Sequence, residues 1–327
     1  MEQEKQMAMR RRLGGTDIEV TAVGLGCWQF SAGKGLAGKF WEALPQPAVD
    51  SIVQASVAVG ISWFDTAEMY GNGASERALA AALRKSGKKN GEVVVATKWS
   101  PIFRTAGSIK ATIQKRLDNL APFTIDLHQV HNPLGFSSVE AEMRAMAALV
   151  ADRKIRAVGV SNFGASRMRR ASAALAKHGI VLASNQVKYS LLDRHMESNG
   201  TLAAAKELGV TVIAYSPLEQ GLLTGKYHRN PEFIRSRPGP RKWMGRFRTR
   251  GLERSRTLIR EMDRIAHAHG ATCAQVALAW LFRFHSNVVV IPGASRVEQA
   301  VENGGALELT LSSKELETLD RMSRSFL

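Results

Sequence analysis

Short β-branched runs alternate along the chain with longer stretches whose apolar residues recur at helical spacing, the pattern of a parallel sheet wrapped by helices. Strands are predicted at about residues 22–26, 61–65, 93–97, 125–130, 155–160, 183–187, 210–214 and 288–291. The first helix, 47–59, turns Val49, Ile52, Val53 and Val57 to one face and stops at Gly60. Further helices are predicted at 75–85, around Ile109, Ile113, Leu117 and Leu120, and around Met143, Met146, Ala147 and Val150. Others follow at 165–178, 201–208, 254–269, 272–284, 296–304 and 313–323. Ahead of the array, residues 9–13 and 18–21 flank Gly14-Gly15 and predict a hairpin. Eight strands, each followed by helix, make the count of a (β/α)8 TIM barrel, with an N-terminal β-hairpin and extra helices near the C-terminus. No Pro/Gly linker divides the chain, so residues 1–327 read as one domain.

Composition narrows the class. No run approaches the roughly 18 apolar residues of a membrane span, and residues 1–12 are charged and polar, without the apolar core of a secretory signal. Two cysteines, Cys27 and Cys273, exclude a disulfide scaffold, and a cytoplasmic location is expected. The net charge of +16 is uneven: residues 226–256 hold eleven Lys/Arg against two acids. A solvated loop ranks first for that segment, a flap complementing phosphate second and a nucleic-acid surface third. The charge is packed into one loop, not spread as a stripe over several elements.

Candidate chemistry gathers at the strand exits. Asp65 closes the second strand with Tyr70 in the loop beyond, Lys98 follows the third and His131 the fourth. In a parallel βα array those exits share one face, where such folds place their chemistry. A structural ion pair with two incidental polar neighbours is the plainer explanation for any one of them; four at consecutive exits point to a site. Other motifs fail on context. Gly33-Lys34-Gly35-Leu36-Ala37-Gly38 has the dinucleotide spacing but lies between the strand end at Gly26 and a helix start near Pro47. Gly221 to Tyr227 is one residue short of a P-loop and has Tyr where a hydroxyl must meet magnesium. No metal site is expected: His128 and His131, three apart on a strand, point to opposite faces.

The segments Asp65-Thr66-Ala67-Glu68-Met69-Tyr70-Gly71, Ala96-Thr97-Lys98 and Val130-His131-Asn132 resemble those of the aldo-keto reductase superfamily. So do Gly159-Val160-Ser161-Asn162-Phe163, Asn185-Gln186, Ala214-Tyr215-Ser216-Pro217-Leu218, residues 221–226, and Ile291-Pro292-Gly293-Ala294-Ser295-Arg296. Residues 35–41, 237–241 and 303–307 also resemble the branch containing plant pyridoxal reductase. The resemblance implies a barrel that binds NADP(H) and reduces a small-molecule carbonyl substrate. It implies Tyr70 as general acid, with Lys98 lowering its pKa, Asp65 fixing Lys98 and His131 orienting the carbonyl. By the same likeness Ser161, Asn162 and Gln186 hold the nicotinamide carboxamide and Tyr215 stacks on its ring. Ser216, Leu218, Gly221, Leu223, Gly225 and Lys226 follow the pyrophosphate, and Gly293, Ser295, Arg296, Gln299 and Asn303 surround the adenosine end. Arg296 near a helix start suits a 2′-phosphate. Trp28, Phe40, Trp41, Trp99 and Phe103 are candidate pocket walls. Two other readings compete: an NADP-binding regulatory subunit like those of potassium channels, and a barrel hydrolase or isomerase using Asp65 and Glu68. Substrate and oligomeric state stay open.

Overall fold

The computed structural model describes residues 9–34, 42–234 and 243–327. Strand β1 (Arg10–Arg12) pairs antiparallel with β2 (Glu19–Thr21), the predicted hairpin. The parallel array follows as β3 (Leu25–Gly26), β4 (Trp63–Asp65), β5 (Val94–Trp99) and β6 (Ile125–Val130). It continues through β7 (Ile155–Ser161), β8 (Leu182–Lys188), β9 (Thr211–Tyr215) and β10 (Val288–Val290), all in sequential order. Gly24 N donates to Val290 O at 2.8 Å and Gly26 N to Pro292 O at 3.0 Å, so first and last strands meet. The sheet closes as a (β/α)8 barrel.

Around it lie α1 (Gln46–Ala58), α2 (Ala74–Lys85), α3 (Gly107–Leu120), α4 (Val139–Ala151) and α5 (Ala165–Ala176). Next come α6 (His195–Ser198), α7 (Thr201–Glu207), α8 (Lys226–Arg229) and α9 (Thr249–Ala268). The last three are α10 (Cys273–Phe284), α11 (Val297–Gly305) and α12 (Ser313–Ser323). Local sequence sets several starts. Ser138 Oγ accepts from Ala141 N at 3.2 Å to open α4, and reciprocal Thr272/Gln275 and Ser312/Glu315 boxes open α10 and α12.

Strand alternation divides the core into two layers. Trp63, Ala96, Leu127, Ala157, Ile213 and Val289 point inward, where Leu13, Ile18 and Val20 of the hairpin join them and close the barrel's lower end. Phe64, Val95, Val130 and Val158 point outward beneath Val49, Ile52, Leu79, Ile109 and Met143 of the helices.

Two boundaries differ instructively from the hydrophobic pattern. Strand β5 runs to Trp99, two residues beyond the predicted end, because its ladder with β6 continues to Val130. Helix α9 begins at Thr249, five residues early, over a stretch with no apolar period. Gly251 lets it do so: a Cβ there would sit 2.4 Å from Gly245 O, so packing against the preceding turn sets the start. Cys27 and Cys273 are buried free thiols. Among the described residues no helix is long and apolar enough to cross a membrane, and no group of three metal-ligating side chains occurs.

Candidate active site

Two residues above the apolar barrel layer, the same inward face becomes polar. Asp65 lies two positions past Trp63, Lys98 two past Ala96, and Gln129 two past Leu127. Asp65 and Lys98 are buried and form a salt bridge through Asp65 Oδ1 and Lys98 Nζ. Asp65 Oδ2 accepts from Gln129 Nε2 at 3.0 Å and Gln186 Nε2 at 2.9 Å, so both carboxylate oxygens are engaged. Lys98 Nζ also donates to Thr66 O at 2.9 Å and to the Tyr70 hydroxyl at 3.3 Å. A buried pair survives only when its remaining hydrogen-bonding capacity is satisfied, and this arrangement meets that condition. Burial pulls the Lys98 pKa down, but Asp65 and Tyr70 together hold it above the ordinary lysine value.

Tyr70 sits on the turn after β4. Thr66 N donates to Ala96 O at 2.8 Å and Glu68 N to Lys98 O at 3.2 Å, tying the turn to β5. Gly71 makes the tight return at φ +65, and a Cβ there would lie 2.3 Å from Ser31 O. Beneath the turn the buried Glu68 carboxylate accepts from Ser100 N and Arg116 Nη1, each at 2.6 Å, and pairs with Arg104. The Trp28 ring stacks on Tyr70 at 6.3 Å, and His131 meets it edge-on at 5.8 Å. Burial raises the Tyr70 pKa; Lys98 pulls against this and Asp65 adds to it, leaving the phenol above its ordinary value. That corrects the expected lowering: Lys98 does pull the phenol down, but desolvation outweighs it. Burial, then Lys98, depresses the His131 pKa to about 3, so the imidazole is neutral.

Asp65, Tyr70, His131 and Trp28 line a cleft of about 540 Å³. Ser161, Asn162, Gln186 and Tyr215 line it too. Asn162, at φ +59, receives the Tyr215 hydroxyl on Oδ1 at 3.1 Å and donates to Ser161 Oγ at 3.1 Å. Ser216, Leu218, Gly221 and Lys226, and Gly293, Ser295, Arg296, Gln299 and Asn303, are also in the cleft's lining. Ser216, Glu219, Gln220, Gly221 and Gly225 all take left-handed conformations, which coil the chain tightly beside the cleft. Glu219 is buried under this coil, bound to Lys188 Nζ at 2.7 Å and to Arg246. Two cleft residues, Gln29 and Gln220, carry buried carbonyl oxygens with no hydrogen-bond partner. Both oxygens are acceptors that a ligand with hydrogen-bond donors would satisfy.

Several expected residues lie elsewhere. Leu223 is buried in the core and Gly225 is the turn ahead of α8; neither lines the cleft. Trp99 points outward because it follows inward-facing Lys98 in the strand, and its Nε1 donates to Ser108 Oγ at 3.1 Å. Phe103 is 83% exposed and also outside the cleft. Phe40 and Trp41 fall outside the described residues. Trp28 does line the cleft. Gln129, Gln29, Gln220 and Glu219 escaped sequence reasoning; only the inward register of Gln129, two past Leu127, carried a usable signal. In the basic segment Lys226 reaches the cleft, Arg246 pairs with Glu219, Arg229 with Asp263 and Arg256 with Glu253.

Residues 22–324 match the Aldo/keto reductase family. An uncharacterized oxidoreductase of Mycobacterium tuberculosis is 38% identical over 310 residues, 94% of this chain and 91% of its own. An aldo/keto reductase from Klebsiella pneumoniae, solved in complex with NADPH, is 28% identical with a TM-score of 0.73, covering 96% of this chain and 95% of that one. The glycerol dehydrogenase of Gluconobacter oxydans is 25% identical with a TM-score of 0.81, covering 98% and 97%.

Proposed function

The chain belongs to the aldo/keto reductase family, and we propose that it reduces an aldehyde or ketone to an alcohol, with hydride from NADPH and a proton from Tyr70. The observation that carries the reading is the Tyr70 hydroxyl held 3.3 Å from a buried, Asp65-anchored Lys98, on a cleft of about 540 Å³ that Ser161, Asn162, Tyr215 and Arg296 also line.

Ser161, Asn162 and Gln186 are the side chains suited to a carboxamide, and the Tyr215 ring is suited to a flat heterocycle. Arg296, exposed ahead of α11, is the cation suited to a 2′-phosphate. At the reacting end, Lys98 donates to the Tyr70 oxygen, which leaves the phenolic O–H free to point at a carbonyl oxygen. Neutral His131 supplies a second donor to that oxygen and steers it towards Tyr70. As the oxygen gains negative charge, Tyr70 transfers its proton, and the resulting phenolate faces Lys98⁺. Asp65 balances that cation, and Gln129 and Gln186 hold the carboxylate still.

The test is NADPH oxidation over aldehydes, ketones, sugars and pyridoxal, run beside Tyr70→Phe. Turnover lost in the variant supports the proposal. NADPH binding with no turnover of any carbonyl would overturn it in favour of a regulatory subunit.

A further inference from the structure

Building on the reading that Gln186 meets the nicotinamide carboxamide, we infer that Gln129 is a positioning residue that locks the Gln186 amide. The cleft is thereby offered an acceptor and no donor at Gln186, and the site selects a nicotinamide ring that bears a primary amide. Gln129 is fully buried and does not line the cleft, so its effect on a ligand must pass through a neighbour. Gln186 is that neighbour, because it touches Gln129 on one side and lines the cleft on the other.

Three hydrogen bonds fix the two amides. Asp65, salt-bridged to Lys98, can only accept. Gln129 and Gln186 must therefore turn their nitrogens to Asp65 Oδ2, and these lie 3.0 and 2.9 Å from it. Gln186 Nε2 has one proton left, which goes to Gln129 Oε1 at 3.3 Å. Both of its protons are then spent inside the barrel. The backbone is held as well, since Gln186 O accepts from Ser161 Oγ and Asn162 N, each at 2.9 Å. What Gln186 has left is Oε1, and among the described residues no donor reaches it. A bond to Asp65 alone would let the amide swing about that contact and aim its second N–H at a ligand; the bond to Gln129 removes that choice.

The fold makes room for this contact. Strands β6 and β8 are not neighbours, because β7 runs between them. Opposite Gln129 on β7 stands Gly159, where a Cβ would come 2.9 Å from Gln129 Cγ and 2.4 Å from Ser184 Oγ. With no side chain in the way, Gln129 leans across the intervening strand to reach Gln186.

The experiment titrates NADP⁺ and its 3-acetylpyridine analogue, in which a methyl group replaces the carboxamide NH₂, against wild type, Gln129→Met and Gln129→Glu. The analogue has an acceptor and no donor, so it leaves Gln186 Oε1 unpaired, and wild type should bind NADP⁺ about tenfold more tightly. Methionine fills the space of Gln129 but accepts nothing from Gln186. The freed amide can then turn an N–H to the acetyl oxygen, and the preference should shrink to about twofold. Glutamate still accepts from Gln186 and should restore the preference. A mere packing defect would weaken both nucleotides and leave their ratio as in wild type; that result in Gln129→Met would overturn the inference. So would equal affinities in wild type, or a Gln129→Glu variant that behaves like Gln129→Met. Discrimination as expected in all three proteins, with no carbonyl reduced, upholds the inference and refutes the reductase reading alone. Carbonyl reduction by a wild type that binds both nucleotides equally does the reverse, and a wild type that binds neither refutes both.

Discussion

Lys98 Nζ stands 3.3 Å from the Tyr70 hydroxyl and 5.0 Å from the centre of its ring. The ammonium is the donor in that contact, so the phenol keeps its own proton for another acceptor. Tyr70→Phe removes the proton and leaves the rest of the cleft in place. Turnover should fall by about 10²- to 10⁴-fold while NADPH affinity, followed by fluorescence titration, stays within a factor of two or so. A variant that keeps wild-type kcat ends the proposed role.

The acid–base profile follows from the two neighbours. Tyr70 is raised, so it stays protonated well into alkaline solution, and His131, depressed to about 3, carries no charge to lose. Reduction should therefore run level from about pH 5 to about pH 9. Lys98→Met removes the charge that pulls the phenol down: the rate should drop and the alkaline limb move to higher pH. A step near pH 6.5 that disappears in His131→Ala would show instead that the imidazolium takes part.

Glu68 is the anchor of the Tyr70 turn, and its partners Arg104 and Arg116 come from the segments after β5. Glu68→Gln keeps a hydrogen bond for Ser100 N but takes the carboxylate from Arg104 and leaves Arg116 with Glu76 alone. Stability should fall by about 3 kcal/mol, and kcat should fall about tenfold, because Tyr70 loses its fixed position. Thermal unfolding and initial rates check the two halves separately.

Cofactor preference rests on Arg296. A charged contact to a 2′-phosphate is worth about 1.5–3 kcal/mol, so NADPH should bind roughly ten- to a hundredfold more tightly than NADH. Titration of both nucleotides against wild type and Arg296→Ala is decisive. Equal affinity in wild type removes the argument.

Glu142 on α4 gives a pH dependence of stability. Burial raises its pKa to about 7, with Arg167 pulling the other way. A carboxyl raised in the folded state binds more protons there than in the unfolded chain between about pH 4.5 and pH 7. Its contribution is complete below that window and is lost as the pH climbs through it. Glu142→Gln should flatten the decline, raising Tm by a few degrees at pH 8 relative to pH 5. An unchanged Tm–pH curve would show that the side chain does not titrate there.

The periodicities made the barrel legible: each strand of the array shows as an apolar run, and each of the four residues Asp65, Tyr70, Lys98 and His131 falls beside a strand end. What was not legible depends on three dimensions. Gln129 and Gln186 reach Asp65 from 64 and 121 residues away, and nothing local marks them as partners of one carboxylate. Trp99 was a candidate pocket wall as one of several aromatics near the strand exits, yet two-residue alternation turns it outward because β5 continues past Thr97. The Tyr70 pKa turned on desolvation, a property of the whole assembly and of no single neighbour. Glu219 reads as one more loop acid until the coil at 216–225 buries it against Lys188 and Arg246.

The hairpin wedges Leu13, Ile18 and Val20 into the bottom of the barrel. With the barrel interior filled and its lower end capped, a small molecule reaches Asp65, Tyr70 and His131 only from the cleft side. In the reaction proposed above, the alcohol would then leave through the cleft its parent carbonyl entered, and added alcohol should slow reduction, which initial rates at rising alcohol concentration check.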